Sequence, residues 1–164
     1  MEREKMKKVI KKNEIEELKG TNKIHFLNGN AKRINKSLGD MVGLKGIGFH
    51  IIEINPGDES TEYHKHFHED ECTYVLSGKG TVTIGDVDYE ISEGDFVGYP
   101  AGGEPHTMVN TGKHVLKCIV VGQRLQHDVG DYPRKNLRIF RNEGLPITVV
   151  NIDDITEPEG VGKK

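Results

Sequence analysis

The residues best suited to chemistry lie in the stretch "YHKHFHEDECTYVLSG" (63–78), which places three histidines and three carboxylates ahead of a hydrophobic run. His64 and His66 are two positions apart, and side chains at that spacing on a β-strand point to the same face. Their imidazoles could therefore bind one cation. A reversal of the chain at residues 67–70 would bring Glu71 close to His66. The local pattern fits a metal site, but it equally fits a solvated polar loop.

A second group of residues favours the metal site. The stretch "GDFVGYPAGGEPHTMVN" (94–110) predicts a turn, a strand, a loop rich in proline and glycine, and a further strand that begins at His106. His106, Met108 and Asn110 would share one face of that strand. A third imidazole contributed by a separate strand is what a metal site with open coordination positions requires.

The elements that position these residues are predicted to be strands. Short apolar segments alternate with turns rich in Gly, Pro, Asn and Asp, a rhythm typical of an all-β sandwich or barrel. We expect a lead with edge strands over residues 1–45, a barrel over 46–125, and an extension over 126–164 that packs on the barrel or swaps with it and frays at its end. The strands are predicted at 47–54, 72–77, 80–85, 87–92, 95–100, 106–110 and 115–125.

Composition narrows the classes of function. A chain of 164 residues is predicted to form one domain, and its net charge of −3 gives no indication of a nucleic-acid partner. No apolar run approaches the roughly 20 residues of a membrane span. The charged N-terminus lacks the apolar region of a signal peptide, so we expect a soluble cytoplasmic protein.

The two histidine-containing blocks resemble the two motifs of the cupin superfamily. The spacings from His66 to Glu71 and from His106 to Asn110 match the family pattern. The segment between Gly57 and His64 and the loop between Pro100 and His106 are each one residue longer, and both insertions are predicted to fall in turns, where extra length costs little. The matched positions are Gly57, His64, His66, Glu71 and Gly78, followed by Gly94, Pro100, Gly102, His106 and Asn110.

Two further segments are similar to those of a little-characterised group of bacterial cupins. They are "KSLGDMVGLKG" (36–46) and "DYPRKNLR" (131–138). This closer resemblance indicates no substrate.

The resemblance to cupins implies a double-stranded β-helix, or jelly-roll barrel, preceded by a short helical or irregular lead. It also implies that His64, His66, Glu71 and His106 hold one divalent metal ion per chain and leave coordination positions open. Imidazole and carboxylate ligands suit zinc, manganese, iron, nickel or cobalt.

Relatives in this superfamily include isomerases, epimerases, decarboxylases and dioxygenases. We therefore expect a metal-binding protein that binds or acts on a small polar metabolite, such as a sugar or a small organic acid. The alternative is a non-catalytic binding or sensor module. Outside the four ligands, the sequence indicates no dedicated acid or base.

The roles of several other residues stay open at this point. His68 could contact a ligand from outside, replace one, or be a solvated turn residue. Thr73, Val75, Met108 and Asn110 could line the cavity, although Asn110 could equally close a turn through its amide. For the remaining histidines, 25, 50, 114 and 127, surface or core positions are expected.

We also expect a homodimer. The apolar segments "IGFHIIEI" and "PITVVNI" are candidates for exposed strand edges, and such edges can pair with a second chain.

Overall fold

The computed structural model describes residues 7–160 and 162. Within them about half of the residues lie in antiparallel strands and few lie in helices, which confirms the predicted all-β class. The strands are β1 (Thr21–His25), β2 (Asn28–Lys36), β3 (Ile47–Ile54), β4 (Lys65–His66), β5 (Glu71–Ser77), β6 (Lys79–Ile84), β7 (Val87–Ser92), β8 (Phe96–Tyr99), β9 (His106–Val109), β10 (Leu116–Gln123), β11 (His127–Tyr132), β12 (Leu137–Asn142) and β13 (Thr148–Asn151). The helices are α1 (Lys12–Glu17) and α2 (Leu38–Met41), with 3-10 turns at Pro133–Lys135 and Ile152–Asp154.

These strands form three sheets. The largest has the order β1-β2-β3-β10-β5-β8 and faces a smaller sheet with the order β7-β6-β9. A third sheet has the order β13-β12-β11-β4. Strand β4, which contains His66 of the first histidine motif, therefore pairs with strands from the C-terminal part of the chain. After the consecutive strands β1, β2 and β3, neighbours in the large sheet come from distant parts of the chain, as in a jelly roll.

The apolar core lies between the six-stranded and three-stranded sheets. Alternate residues of each strand point inward, and the best-buried side chains come from four different strands. Ile54, Val75, Val82 and Leu116 are all fully buried. Residues of both sheets thus pack into one core, which fixes the barrel around the cavity described below.

The seven strands predicted from sequence are all present, with ends that differ by at most two residues. The residues that lengthen the two cupin motifs lie between strands, as expected. The sequence did not predict the individual strands β1, β2, β11 and β12. Their sequences are rich in polar residues, because their exposed sides meet solvent and part of β2 faces a polar cavity.

Gly78 shows why the first motif ends in glycine. Its φ is +91°, a left-handed conformation that favours glycine. A Cβ atom at this position would lie 2.6 Å from the carbonyl oxygen of Val115. The tight connection between β5 and β6 therefore requires both the conformation and the small size of glycine.

Asn110, at the end of the second motif, closes a turn and does not line the cavity. Its amide nitrogen donates to the carbonyl oxygens of Ile54 (2.7 Å) and His114 (2.9 Å), and its side-chain oxygen accepts from the backbone N–H of Gly112 (2.9 Å). Of the two roles left open by the sequence, the structure selects this one.

The described residues include no helix long and apolar enough to cross a membrane.

Candidate metal centre

The backbone brings the two histidine motifs face to face. His64 and His106 form an isolated antiparallel bridge in which the N–H of His64 donates to the carbonyl of His106 (3.1 Å) and the reverse bond measures 2.7 Å. His66 lies two residues further on, in β4, and Glu71 begins β5. The chain reverses between them at residues 67–70, as the sequence predicted.

The structure brings the four predicted ligands close to one another, with Glu71 among the imidazoles. Ligand atoms of His64, His66 and Glu71 all lie within 4.8 Å of one another. His106 joins them because its Nε2 is 3.4 Å from Glu71 Oε2, and Glu71 Oε2 is 3.9 Å from Nε2 of His64. Two atoms bound to one cation at about 2.1 Å lie about 3.0 Å apart at a right angle and about 3.4 Å apart at the tetrahedral angle. The separation of His106 and Glu71 falls in this range, and the separation of His64 and Glu71 is about 0.5 Å wider than the tetrahedral value.

Hydrogen bonds orient two of the imidazoles. Nδ1 of His64 lies 2.9 Å from the carbonyl oxygen of Glu62, and Nδ1 of His66 lies 2.7 Å from Asp128 Oδ2. Both acceptors require a proton on Nδ1, so the Nε2 lone pair of each ring stays free to bind a metal.

His106 is oriented by stacking. Its ring lies parallel to that of Tyr99, with centroids 3.7 Å apart and an angle of 8° between the planes. The buried Nδ1 of His106 has no hydrogen-bond partner within residues 7–160. Packing against Tyr99 therefore supplies the positioning that hydrogen bonds supply to the other two rings.

Burial and neighbouring charges set the protonation states of His64 and Glu71. Burial is the main cause that lowers the pKa of His64, to about 3, so this imidazole is neutral over the physiological range. Burial alone would raise the pKa of Glu71, but the hydrogen bond with His106 and the nearby histidines lower it below its usual value. Glu71 is therefore an ionised carboxylate, as a ligand must be.

The pKa of His66 shifts in the opposite direction. Burial lowers it, but the hydrogen bond to Asp128 and the charges of Glu71, Asp128 and Glu69 outweigh that effect, so the pKa is raised. Protons therefore compete with a metal for His66 as the pH falls.

A network of charged residues behind His66 was missed by the sequence analysis. Asp128 contacts His66 and also accepts from Arg141 Nη2 at 3.0 Å, and Arg141 pairs in turn with Glu69. His66, Glu69 and Asp128 form a second cluster of possible ligands. Since Arg141 already neutralises both carboxylates and Asp128 occupies Nδ1 of His66, we interpret this cluster as a support for the ligand. Asp128 lies 62 residues after His66 in the sequence, so no local pattern could have indicated this contact.

A cavity of about 410 Å³ opens beside the four predicted ligands and is lined by three of them, His64, Glu71 and His106. Thr73 and Met108 also line it, but Val75 does not, because it is fully buried in the apolar core. Two further lining residues, Arg33 and His50, were not assigned to a site from sequence. His50, for which a surface or core position was expected, is half-buried on β3 and faces this cavity.

His68 does not take part in the centre. Its side chain is exposed in the turn after β4, and its backbone N–H donates to Asp128 Oδ1 at 3.3 Å. The solvated turn role is the one that the structure supports. His25, His114 and His127 also lie outside the cavity lining.

Comparisons with known proteins agree with this architecture. A family model described as "Cupin domain" matches residues 50–122. The crystal structure of a protein from Acidithiobacillus ferrooxidans, provisionally named as a sugar phosphate isomerase, is 49% identical, with 92% of this chain and 96% of that chain covered and a TM-score of 0.88.

Two other relatives are more distant. A cupin from Silicibacter pomeroyi, named as a sugar phosphate isomerase, shares the fold at 21% identity, with a TM-score of 0.73 over 86% of this chain and 94% of that chain. An uncharacterised protein of Methanocaldococcus jannaschii is 33% identical over 76 residues, which cover 46% of this chain and 60% of that protein.

The chain belongs to the cupin superfamily.

Asp128→Asn should weaken metal binding without removing a ligand. An amide can present its NH₂ group to Nδ1 of His66 and disturb the tautomer that leaves Nε2 free. Loss of such an orienting carboxylate lowers metal affinity about 10- to 100-fold. Competition with a fluorescent chelator would measure the change. Asp131→Asn is the matched control, because Asp131 lies three residues along β11 and pairs with Arg138 instead of a proposed ligand. Equal affinities for the wild-type protein and D128N would contradict the supporting role.

The effect of a chelator on stability should depend on pH. An ion that binds only the folded chain stabilises it, and protons displace that ion from imidazoles. The metal keeps the histidines unprotonated in the folded state, so its contribution is present above the unfolded histidine pKa of about 6.5 and is lost as the pH falls below it. Excess chelator should therefore lower the melting temperature clearly at pH 8 and much less at pH 5.

The difference between samples with and without chelator is the quantity to compare. His64 and His66 also change the stability of the metal-free protein, and their pKa shifts have opposite signs. Subtraction removes these contributions. A chelator effect of equal size at both pH values, or none at either, would count against ligation by the histidines.

Proposed function

We propose that this chain binds one divalent metal ion through His64, His66, Glu71 and His106 and isomerises a small phosphorylated sugar in the adjoining cavity. The observation that carries the proposal is the convergence of three imidazoles and an ionised carboxylate at the wall of a cavity of about 410 Å³. The name given to the relative from Acidithiobacillus ferrooxidans supports the choice of reaction.

The chemistry of such an isomerisation fits the groups that line the cavity. A proton moves between adjacent carbons, and a bound divalent ion would stabilise the negative charge that develops on the substrate oxygens. The chain must supply a base, a dry wall and contacts that orient the substrate. Ile52, Met108 and Val120 contribute the apolar part of the wall.

His50 is the candidate for the base. Among the cavity residues outside the four proposed ligands, Asp40 is paired with Arg124, and burial raises the pKa of Tyr99. Burial is also the main cause that lowers the pKa of His50, so its imidazole is neutral and able to accept a proton near pH 7. Nδ1 of His50 lies 3.1 Å from the hydroxyl of Ser37, which holds the ring in place.

The direct test combines elemental analysis with an isomerase assay. Purified protein should contain about one transition metal ion per chain and should interconvert aldose and ketose phosphates, with solvent deuterium exchange at the reacting carbon followed by NMR. His66→Ala should lower both metal content and turnover, whereas His50→Gln should retain the metal and lose most of the turnover. His68→Ala, a change of the exposed neighbour, is the matched control.

The outcomes separate the candidate functions. Metal and ligand binding without turnover would favour a non-catalytic binding or sensor module. Metal-free protein that resists loading would contradict the proposed ligand set.

The homodimer is also a proposal, and its structural basis differs from the one expected. The segment "IGFHIIEI" is β3, an internal strand of the six-stranded sheet that pairs with β10 along its length and with β2 at residues 51–53. The segment "PITVVNI" contains β13, which is the edge of the four-stranded sheet and has exposed neighbours in Leu145 and Ile147. Of the two proposed pairing edges, β13 is therefore the one available.

A dimer formed through β13 should dissociate when that edge is disrupted. Val149→Pro removes one backbone donor, and a proline within a strand opposes pairing. Light scattering at micromolar concentration should report a dimer for the wild-type protein and a monomer for the variant. Val87→Pro, at an exposed end of β7, controls for nonspecific damage. A wild-type monomer would exclude this assembly.

A further inference from the structure

Arg33 is a largely buried arginine that faces the cavity without an acidic partner. It lies on β2, and its Nη1 donates to the carbonyl of Ser60. Its Nε is buried and has no acceptor, and no carboxylate forms an ion pair with its guanidinium anywhere in residues 7–160. By contrast, three other arginines each pair with a carboxylate: Arg124, Arg138 and Arg141.

A buried cation without a counterion is costly. Removal of a guanidinium from water is compensated in proteins by a carboxylate, by a full set of acceptors or by a bound anion. Arg33 has one neutral carbonyl, and burial lowers its pKa, with Glu71 as the one carboxylate that opposes this effect. Since Glu71 already faces the imidazoles, an anion in the cavity would supply the missing acceptors.

Lys23 places a second positive charge at the same end of the cavity. It is the direct cross-strand partner of Arg33 in the pairing of β1 with β2, and both residues line the cavity. Lys23 is exposed and forms no ion pair in the part of the chain that the structure describes. Asn35 of β2 and Ser37, which follows the strand, continue this polar wall and offer additional donors.

We propose that Arg33 and Lys23 form an anion subsite that binds the phosphoryl group of the substrate, in the cavity that His64, Glu71 and His106 also line. This inference rests on the proposed function for the other half of the ligand, which would place its hydroxyl and carbonyl oxygens at the ligand cluster. Two cations match the charge of a phosphomonoester dianion better than that of a carboxylate. The planar guanidinium also matches phosphate oxygens in pairs.

The dimensions of the cavity agree with such a ligand. A volume of about 410 Å³ lies near the lower end of the range for small-molecule sites. The cavity therefore suits a small sugar phosphate that contacts both the cationic residues of β1 and β2 and the proposed ligands His64, Glu71 and His106.

Calorimetric titration of the purified protein with inorganic phosphate tests the subsite at constant ionic strength and pH 7.5. Arg33→Gln should weaken phosphate binding by at least about tenfold, and Lys23→Gln by about threefold, because charge-assisted bonds are lost. Lys32→Gln is the matched control, since Lys32 is an exposed lysine on the same strand outside the cavity. It should bind phosphate as the wild-type protein does.

Two further experiments show where phosphate binds and whether the site prefers a phosphate ester to a carboxylate. Phosphate bound at Arg33 should survive His66→Ala and chelator treatment, whereas phosphate bound to a metal ion should not. Glycerol 3-phosphate should bind more tightly than glycerate, which carries a carboxylate in place of the phosphate ester. Elemental analysis of the same samples tests the metal centre separately, so a failure of the proposed function and a failure of this subsite give different results.

Several outcomes would overturn the inference. They are a wild-type protein that binds no phosphate at millimolar concentration, unchanged binding in both R33Q and K23Q, loss of binding in H66A, and tighter binding of glycerate than of glycerol 3-phosphate. If R33Q fails to fold, K23Q decides the question, because Lys23 is exposed and its replacement removes no buried contact.

Discussion

The hydrogen bond between Nδ1 of His66 and Asp128 connects the first histidine motif to the C-terminal strands. His66 belongs to β4, a strand of two residues that pairs with β11 through Gly130 and Asp131. So short a strand has little stability of its own, and it keeps its geometry because β11 and the network of Asp128, Glu69 and Arg141 fix it on one side. The position of a proposed metal ligand thus depends on residues more than 50 positions later in the chain.

The interior of the barrel has an apolar part, which stabilises the fold, and a polar part, which contains the candidate site. The same inward faces carry aliphatic residues at one end, including Ile54, Val75 and Leu116, and polar residues at the other, including Glu71 and Thr73. The apolar end can pack densely, and its burial supplies most of the driving force for folding. That packing holds the polar end open as a cavity, although its charged groups are costly to bury.

The sequence predicted the parts of this protein that depend on local patterns. Strands β3 and β5–β10 follow from short apolar segments between turn residues, and His64, His66 and Glu71 follow from spacing and resemblance. Arg33, His50 and Asp128 could not be predicted in this way. Each acquires its role from strand pairing across the molecule, and on their own strands they read as ordinary polar residues.

The same limit explains why Asn110 and β3 were ambiguous. Asn110 shares a strand face with His106, but the chain curves into a turn there, so its amide meets the backbone of Ile54 and His114. The apolar pattern of β3 shows that it is a strand without showing whether its edges are free. Edge positions depend on sheet order, which sequence patterns do not encode.

The stacking of Tyr99 on His106 gives this protein an optical property. The chain has five tyrosines and no tryptophan, so tyrosines dominate its ultraviolet emission. With the ring centroids 3.7 Å apart, Tyr99 lies one ring away from a proposed metal ligand. An ion with unpaired electrons held by His106 would quench the emission of Tyr99, whereas zinc, with its filled d shell, would leave that emission largely intact.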